Sequence, residues 1–317
     1  MLDVVTLGET MVRLSPKGHL RLDQAAELEV MPGGAEANVA VGLARLGMRA
    51  GWISKLPDHP LARLIVGELR RHGVDASRVV WTPEGRVGLY FFERGAPPRP
   101  PRVWYDRRGS AVTTLEDAEV DWPYLASARA VLVTGITPAL GPRLRELTKR
   151  VAREVRAAGR LLALDVNYRA KLWSPAEAAA CLAELLPVVS ILLCGRDDAE
   201  RVFGFAGEPE AVARAFREKF GVPTVVLTLG AEGSLALADG VYRQRRVPRL
   251  EMVDPLGAGD AFAAGFLYGY LTDGVQRGLD VGGAMGALAC TIEGDFALVT
   301  LAEVEELLNS GDQEIRR

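Results

Sequence analysis

Residues 2–8 open the chain with an almost unbroken apolar run ending at Gly8, the pattern of a strand buried on both faces. From Thr10 to Met31 the alternation is weak and broken by Pro16 and Gly18, which predicts a small strand pair outside the core. After Gly33-Gly34, small and apolar residues recur at helical spacing until Gly47. A short strand over Ala50–Ser54 and an amphipathic helix over Pro60–Gly73 follow. Val87–Phe92 and Arg102–Arg107 are rich in β-branched and aromatic residues and are joined by the proline-rich stretch Pro97–Pro101. They predict a hairpin, which with residues 10–31 forms a small separate sheet. Its exposed edges and aromatics need a cover.

From Ala130 the rhythm becomes regular. Strands are expected over Ala130–Gly135, Leu161–Val166, Val188–Leu193 and Thr224–Thr228. Helices are expected over Pro142–Gly159, Pro175–Leu186, Asp197–Phe203 and Pro209–Phe220. Such alternation means parallel pairing with helices on both faces. Leu235–Val247 reads as a hairpin turning at Asp239-Gly240, and Leu301–Leu308 as a terminal helix. Ligands of parallel sheets bind beyond the C-terminal strand ends. The loops that matter are therefore Asn167-Tyr168-Arg169, Gly195–Asp198, Gly230–Gly233 and Gly257–Asp260.

Length and charge narrow the classes. A chain of 317 residues suits one large α/β core with an appendage. A net charge of -3 leaves no nucleic-acid footprint. The apolar runs are too short for a membrane span, and Met1 leads straight into a strand, with no signal peptide visible. Cys181, Cys194 and Cys290 lack metal-ligand spacing and read as buried free thiols, which fits a cytoplasmic location.

The chemistry concentrates in Val253-Asp254-Pro255-Leu256-Gly257-Ala258-Gly259-Asp260-Ala261-Phe262. Pro255 disfavours helix for Asp254, the glycines permit a tight turn, and a helix follows. Free amides at a helix start make an anion site. Asp260 is then either an ordinary N-terminal cap or a base beside a phosphoryl group in flight. Gly33 and Gly34 either make a plain loop-to-helix turn or let a ligand approach the backbone, with Asn38 one turn into the helix. No Gly-x-x-x-x-Gly-Lys-Ser/Thr motif is present, which excludes a P-loop kinase.

These two motifs, Gly33-Gly34-Ala35-Glu36-Ala37-Asn38-Val39-Ala40 and Asp254 to Phe262, resemble the PfkB/ribokinase family of carbohydrate kinases. Within that family the chain is most similar to the 2-keto-3-deoxygluconate kinases. This second likeness rests on Gly88-Leu89-Tyr90, Arg102 to Ala111, Gly135 to Leu140, and Asp165 to Arg169 followed by Leu172-Trp173-Ser174-Pro175. The resemblance implies an α/β, ribokinase-like fold: a central mostly parallel sheet flanked by helices on both faces, with a small β-sheet lid. The core would take residues 1–9, 32–86 and 113–310, and the lid residues 10–31 and 87–112, which would also be a dimer interface.

The resemblance also implies ATP, Mg²⁺, and transfer to the terminal primary hydroxyl of a sugar acid. Gly34, Asn38, Tyr90, Tyr105, Arg107, Arg169 and Asp295 would hold the substrate, with the arginines at its carboxylate. Asp260 would be the base, and Gly257, Ala258 and Gly259 the anion hole. Asn167, Thr228, Gly230, Gly233, Gly257 and Gly259 would face the nucleotide, and Asp198 the hydrated Mg²⁺. Asp198 replaces a glutamate usual in the family, Gly195 an asparagine, and Gly283 an asparagine beside the adenine. A sugar acid needs cations at a set distance from the reacting hydroxyl, and arginine forks carboxylates. A neutral hexose, as in a fructokinase, needs neither arginine. A regulatory sugar-acid binder with weakened catalysis would not need the Gly257–Asp260 motif.

Overall fold

The repeated apolar runs assemble into one large sheet and a smaller one, in a computed structural model that describes residues 1–244 and 250–309. In chain order the strands are β1 (Val4–Leu7), β2 (Met11–Ser15), β3 (Glu29–Gly33), β4 (Ala50–Ile53), β5 (Lys55–Pro57), β6 (Val80–Thr82) and β7 (Leu89–Glu93). Then come β8 (Arg102–Asp106), β9 (Ala130–Thr134), β10 (Leu161–Asp165), β11 (Ile191–Gly195), β12 (Thr224–Thr228), β13 (Ser234–Leu237) and β14 (Val241–Gln244). The helices are α1 (Ala35–Arg45), α2 (Pro60–Arg71), α3 (Trp122–Ala126), α4 (Ile136–Ala139), α5 (Pro142–Ala157) and α6 (Pro175–Leu185). They continue with α7 (Arg196–Phe203), α8 (Pro209–Phe220), α9 (Ala258–Asp273), α10 (Val275–Ala289) and α11 (Leu301–Asn309).

The large sheet has the order β14-β13-β12-β11-β10-β9-β1-β4, parallel from β4 to β12 and antiparallel at β13 and β14. Successive strand residues point to opposite faces. Val5, Leu7, Val131, Val133, Leu162 and Leu164 pack with α5 and α6 on one side. Val4, Ala130, Leu132, Ala163 and Ile191 pack with α1, α2 and α9 on the other. With both faces covered, each strand reads as a continuous apolar run.

The small sheet has the order β3-β2-β7-β8. Strands β2 and β3 pair antiparallel, as do β7 and β8, and the two hairpins join through a parallel β2–β7 contact. Trp104 and Tyr105 on β8 and Val30 on β3 are exposed. A two-stranded parallel pair, β5–β6, escaped the sequence reading because each strand has three residues. The strand expected over 188–193 begins instead at Ile191, because Pro187 sits in a 3-10 turn over Leu186–Val188. The hairpin expected to reach Val247, and the core boundary at 310, run past the described residues. All three cysteines are buried and free. No helix among the described residues is long and apolar enough to cross a membrane.

Candidate active site

The C-terminal ends of the parallel strands meet the start of α9 and the small sheet around one cavity. Gly34, Asn38, Tyr90, Tyr105, Arg107, Arg169, Gly257, Asp260 and Asp295 all line it. The residues expected to hold substrate are therefore brought together from positions spread over most of the chain.

Helix α9 begins as its sequence dictates. Gly257 is its cap, with φ at 80°, and a Cβ there would sit on the Asp295 carbonyl oxygen. The amides of Ala258, Gly259 and Asp260 form the open first turn. Nothing lies within 4 Å of a Cβ built on Gly259, so that face of the turn is open. Asp254 closes the approach to the turn by accepting the Leu256 amide at 3.1 Å.

Asp260 is 7 % exposed. The Asn38 amide nitrogen donates to its Oδ2 at 2.7 Å, and the Asn167 amide nitrogen to its Oδ1 at 3.3 Å. Burial raises its pKa, while the Asn38 hydrogen bond, the Arg169 charge and the Asn167 hydrogen bond pull it back. Asn167, expected to face the nucleotide, thus also touches the carboxylate, from a left-handed backbone with φ at 39°.

Asn38 also accepts the Gly34 amide at 3.1 Å, tying the glycine pair to the same carboxylate. The pair's close approaches are to protein. A Cβ on Gly34 would meet the Glu9 carbonyl oxygen, and one on Gly33 the Tyr90 hydroxyl. Asp295 is ion-paired with Arg13 at 2.9 Å. Burial raises its pKa and the Arg13 charge opposes this. The Tyr90 ring is buried against Tyr105, centroids 6.0 Å apart. Burial lifts the Tyr90 phenol well above the ordinary range, so it stays protonated.

The two arginines differ. Arg107 is buried and gives Nε and Nη2 to Glu9 Oε2, a partner the sequence reading missed. Arg169 makes no ion pair with any described residue, and its Nη1 donates to the neighbouring Tyr168 carbonyl at 3.4 Å. Its charge acts on Asp260, Asp165 and Asp198.

Asp198, Thr228, Gly230 and Gly233 lie outside this cavity, along the ends of β11 and β12, where Gly195 and Thr228 are paired. Asp198 is half-buried and accepts the Tyr168 amide at 3.1 Å. Burial raises its pKa. Gly230 and Gly233 take positive φ values of 60° and 96° in the turn after β12. Arg196 crosses to Glu232 over the same edge.

Two further carboxylates escaped the sequence reading. Asp165 ends β10 and is pushed up to about 7 by burial and by the charge of Asp260. Its signal was a carboxylate closing an otherwise apolar strand. Glu36 is fully buried, and Thr134 and Thr137 each donate to its Oε1 at 2.7 Å. It is the one charge in the small-residue run that starts α1.

Comparison with known proteins adds an independent line. The family model described as pfkB family carbohydrate kinase matches residues 1–298. The chain is 42% identical over 316 residues to a 2-dehydro-3-deoxygalactonokinase of Haloferax volcanii, covering 99% of each. It is 35% identical over 304 residues to a 2-dehydro-3-deoxygluconokinase of Bacillus subtilis, covering 93% of this chain and 91% of that one. The solved structure of a 2-dehydro-3-deoxygluconokinase from Thermotoga maritima superposes with a TM-score of 0.90 at 34% identity, covering 97% of this chain and 98% of that one.

Proposed function

The chain belongs to the pfkB family of carbohydrate kinases, and from that premise we propose that it transfers the γ-phosphoryl group of ATP to a 2-keto-3-deoxy sugar acid. The acceptor is the terminal primary hydroxyl of 2-keto-3-deoxygluconate or its galactonate epimer. One observation carries the reading: a single cavity holds a buried carboxylate beside a helix-start anion turn, with Arg107 and Arg169 also on its wall. A kinase for a neutral sugar has no use for that pair of arginines, which argues against a fructokinase.

Asp260 accepts the proton of the attacking hydroxyl, and Asn38 and Asn167 hold its two oxygens in place and favour the ionised form. The open amides of Ala258, Gly259 and Asp260 meet the charge on the phosphoryl oxygens. A loose transition state asks little of the base, so orientation carries much of the rate. Arg169, without an acidic partner among the described residues, receives the substrate carboxylate, and Arg107, anchored by Glu9, supports it. Tyr90, Tyr105, Gly34 and Asp295 hold the sugar.

The nucleotide lies along Asn167, Thr228, Gly230, Gly233, Gly257 and Gly259. Asp260 and Asp198 both act on Asp165, Arg169 is the counter-charge of all three, and that acidic edge fits a hydrated divalent cation. Among the described residues no group of three metal-ligating side chains converges, which fits Mg²⁺ held through water and ATP phosphates near Asp198. When bound, Mg²⁺ offsets phosphate charge. The small sheet, residues 10–31 and 87–112, serves as lid over the core of residues 1–9, 32–86 and 113–310. Its exposed Trp104 and Tyr105 suit a homodimer interface, and the protein works in the cytoplasm.

The test is ATP turnover with Mg²⁺ against both keto-deoxy acids, fructose, ribose and no sugar, with Asp260→Asn alongside. Turnover is expected only with the acids and is lost in the variant by about 10²–10⁴-fold. Preference for a neutral sugar refutes the substrate. Binding of the acids without turnover refutes the kinase reading in favour of a sensor.

A further inference from the structure

Arg13 lies at the middle of β2, in the small sheet, and is fully buried. Its guanidinium spends each nitrogen on a different partner. Nε donates to Ser15 Oγ at 2.8 Å, Nη1 to Asp295 Oδ1 at 2.9 Å, and Nη2 to Asp254 Oδ2 at 2.5 Å. Its flat face lies 4.3 Å from the Phe92 ring centroid. The orientation is therefore fixed in and out of plane.

The two carboxylates serve different parts of the site. Asp295 lines the substrate cavity. Asp254 lies outside it and is fully buried, and its oxygens accept the amides of Leu256 at 3.1 Å and Gly294 at 3.2 Å. The first bond closes the turn that delivers Gly257 and the α9 amides. The second fixes the residue before Asp295. The Asp295 carbonyl in turn packs where a side chain on Gly257 would be. The turn before α9 and the turn bearing Asp295 thus stand back to back, with one guanidinium between their carboxylates. A second arginine, Arg94 directly after β7, reaches Glu293 at 3.2 Å on the same turn.

We propose that Arg13 is a positioning residue that aligns the Asp295 subsite with the anion-binding turn of α9, making the small sheet part of the catalytic frame. The proposal rests on the reading above for what those two elements contact. Asp295 and Asp254 are met here by donors at fixed, separate positions of one planar fork, a geometry that the compact, rotatable ammonium of lysine does not reproduce. Arg13→Lys keeps the charge and loses the alignment. It is expected to lower kcat and raise KM for the sugar acid together, by about tenfold to a hundredfold in kcat/KM. Asp254→Asn, at a residue outside the cavity, is expected to raise the same KM.

Amide hydrogen exchange gives a readout independent of turnover. In Arg13→Lys, exchange should rise together in residues 254–257 and 293–296 while α5 keeps its protection. A residue with only a bulk structural role would loosen the whole protein and leave the kinetics of the folded fraction unchanged. Arg13→Lys with kinetic constants within about twofold of the parent, or with exchange unchanged in both segments, overturns the proposal. Should Arg13→Lys fail to fold, Asp254→Asn with unchanged KM and exchange overturns it equally. If the parent phosphorylates none of the acids, the functional reading falls, and the exchange experiment still judges Arg13.

Discussion

Replacing Asn38 tests whether the buried carboxylate is kept ionised by its neighbours. Asn38 gives Asp260 its short hydrogen bond, 2.7 Å, and Asn167 the long one, 3.3 Å. A hydrogen bond to a charged group contributes about 1.5–3 kcal/mol. Each 1.36 kcal/mol is tenfold, so Asn38→Ala should lower kcat/KM at neutral pH by about 10- to 150-fold. The sign of the pH effect follows from the environment. Burial already raises the Asp260 pKa, and the Asn38 bond opposes it, so removing that bond raises it further. The acid limb of the kcat/KM profile therefore moves to higher pH, and part of the lost rate returns as pH rises. Asn38→Asp separates this effect from the cap on Gly34. It keeps an acceptor for the Gly34 amide but sets a second carboxylate beside Asp260. It should be worse than Asn38→Ala. Asn167→Gly, which tolerates the left-handed φ of 39°, should cost less than either. A coupled ADP assay across the carboxylate and neutral range reads all of this. An unmoved acid limb in Asn38→Ala, or an Asn38→Asp enzyme more active than Asn38→Ala, refutes the reasoning.

Three further predictions concern the neighbouring residues. Gly259→Ala meets nothing within 4 Å, so its melting temperature should match the parent or exceed it, while turnover falls because the methyl occupies the phosphoryl path; a fully active Gly259→Ala would contradict the anion turn. Gly257→Ala, by contrast, forces φ 80° on alanine against the Asp295 carbonyl and should destabilise the fold by about 1–3 kcal/mol in thermal melts. Asp165 binds its proton more tightly folded, at about 7, than at the ordinary 3.8, so its contribution to stability is present below the lower value and is lost as pH rises through about 7. The span corresponds to about 4 kcal/mol, and Asp165→Asn should flatten that part of the stability–pH curve; parallel curves for parent and variant would show that another group sets the slope.

The large sheet was legible because its strands are covered on both faces and so are apolar throughout, as in Leu161–Leu164 or Thr224–Leu227. Asp260 and the glycines before it were legible because turn, helix start and carboxylate are adjacent in sequence. Arg13, Glu9 and Asp254 were not, since their meaning lies in partners far along the chain. Arg107 shows the same limit from the other side: the sequence singled out the arginine, but not the Glu9 carboxylate that holds it. The glycine pair at 33 and 34 was read as a plain loop-to-helix turn or as room for a ligand; both glycines line the cavity, and the space an added Cβ would take is filled by the Tyr90 hydroxyl and the Glu9 backbone. Local chemistry is written locally, whereas burial of a charge is decided by whichever distant segment folds over it.

The contact between Arg13 and Asp295 joins residues 282 apart. Closing so long a loop is not prohibitive, since each doubling of length adds only about 0.6 kcal/mol of entropy. Its consequence is one of order: a chain emerging from the ribosome has every strand of both sheets before it has Asp295. The Asp295 side of the cavity is therefore the last part of the site to be made, after Arg13 and Asp254 are already in the chain. A ligand that binds only the folded state adds to its stability by mass action, about 2.7 kcal/mol at a hundredfold excess over Kd. Supply of the sugar acid would thus set how much of the enzyme survives proteolysis as well as how fast it turns over.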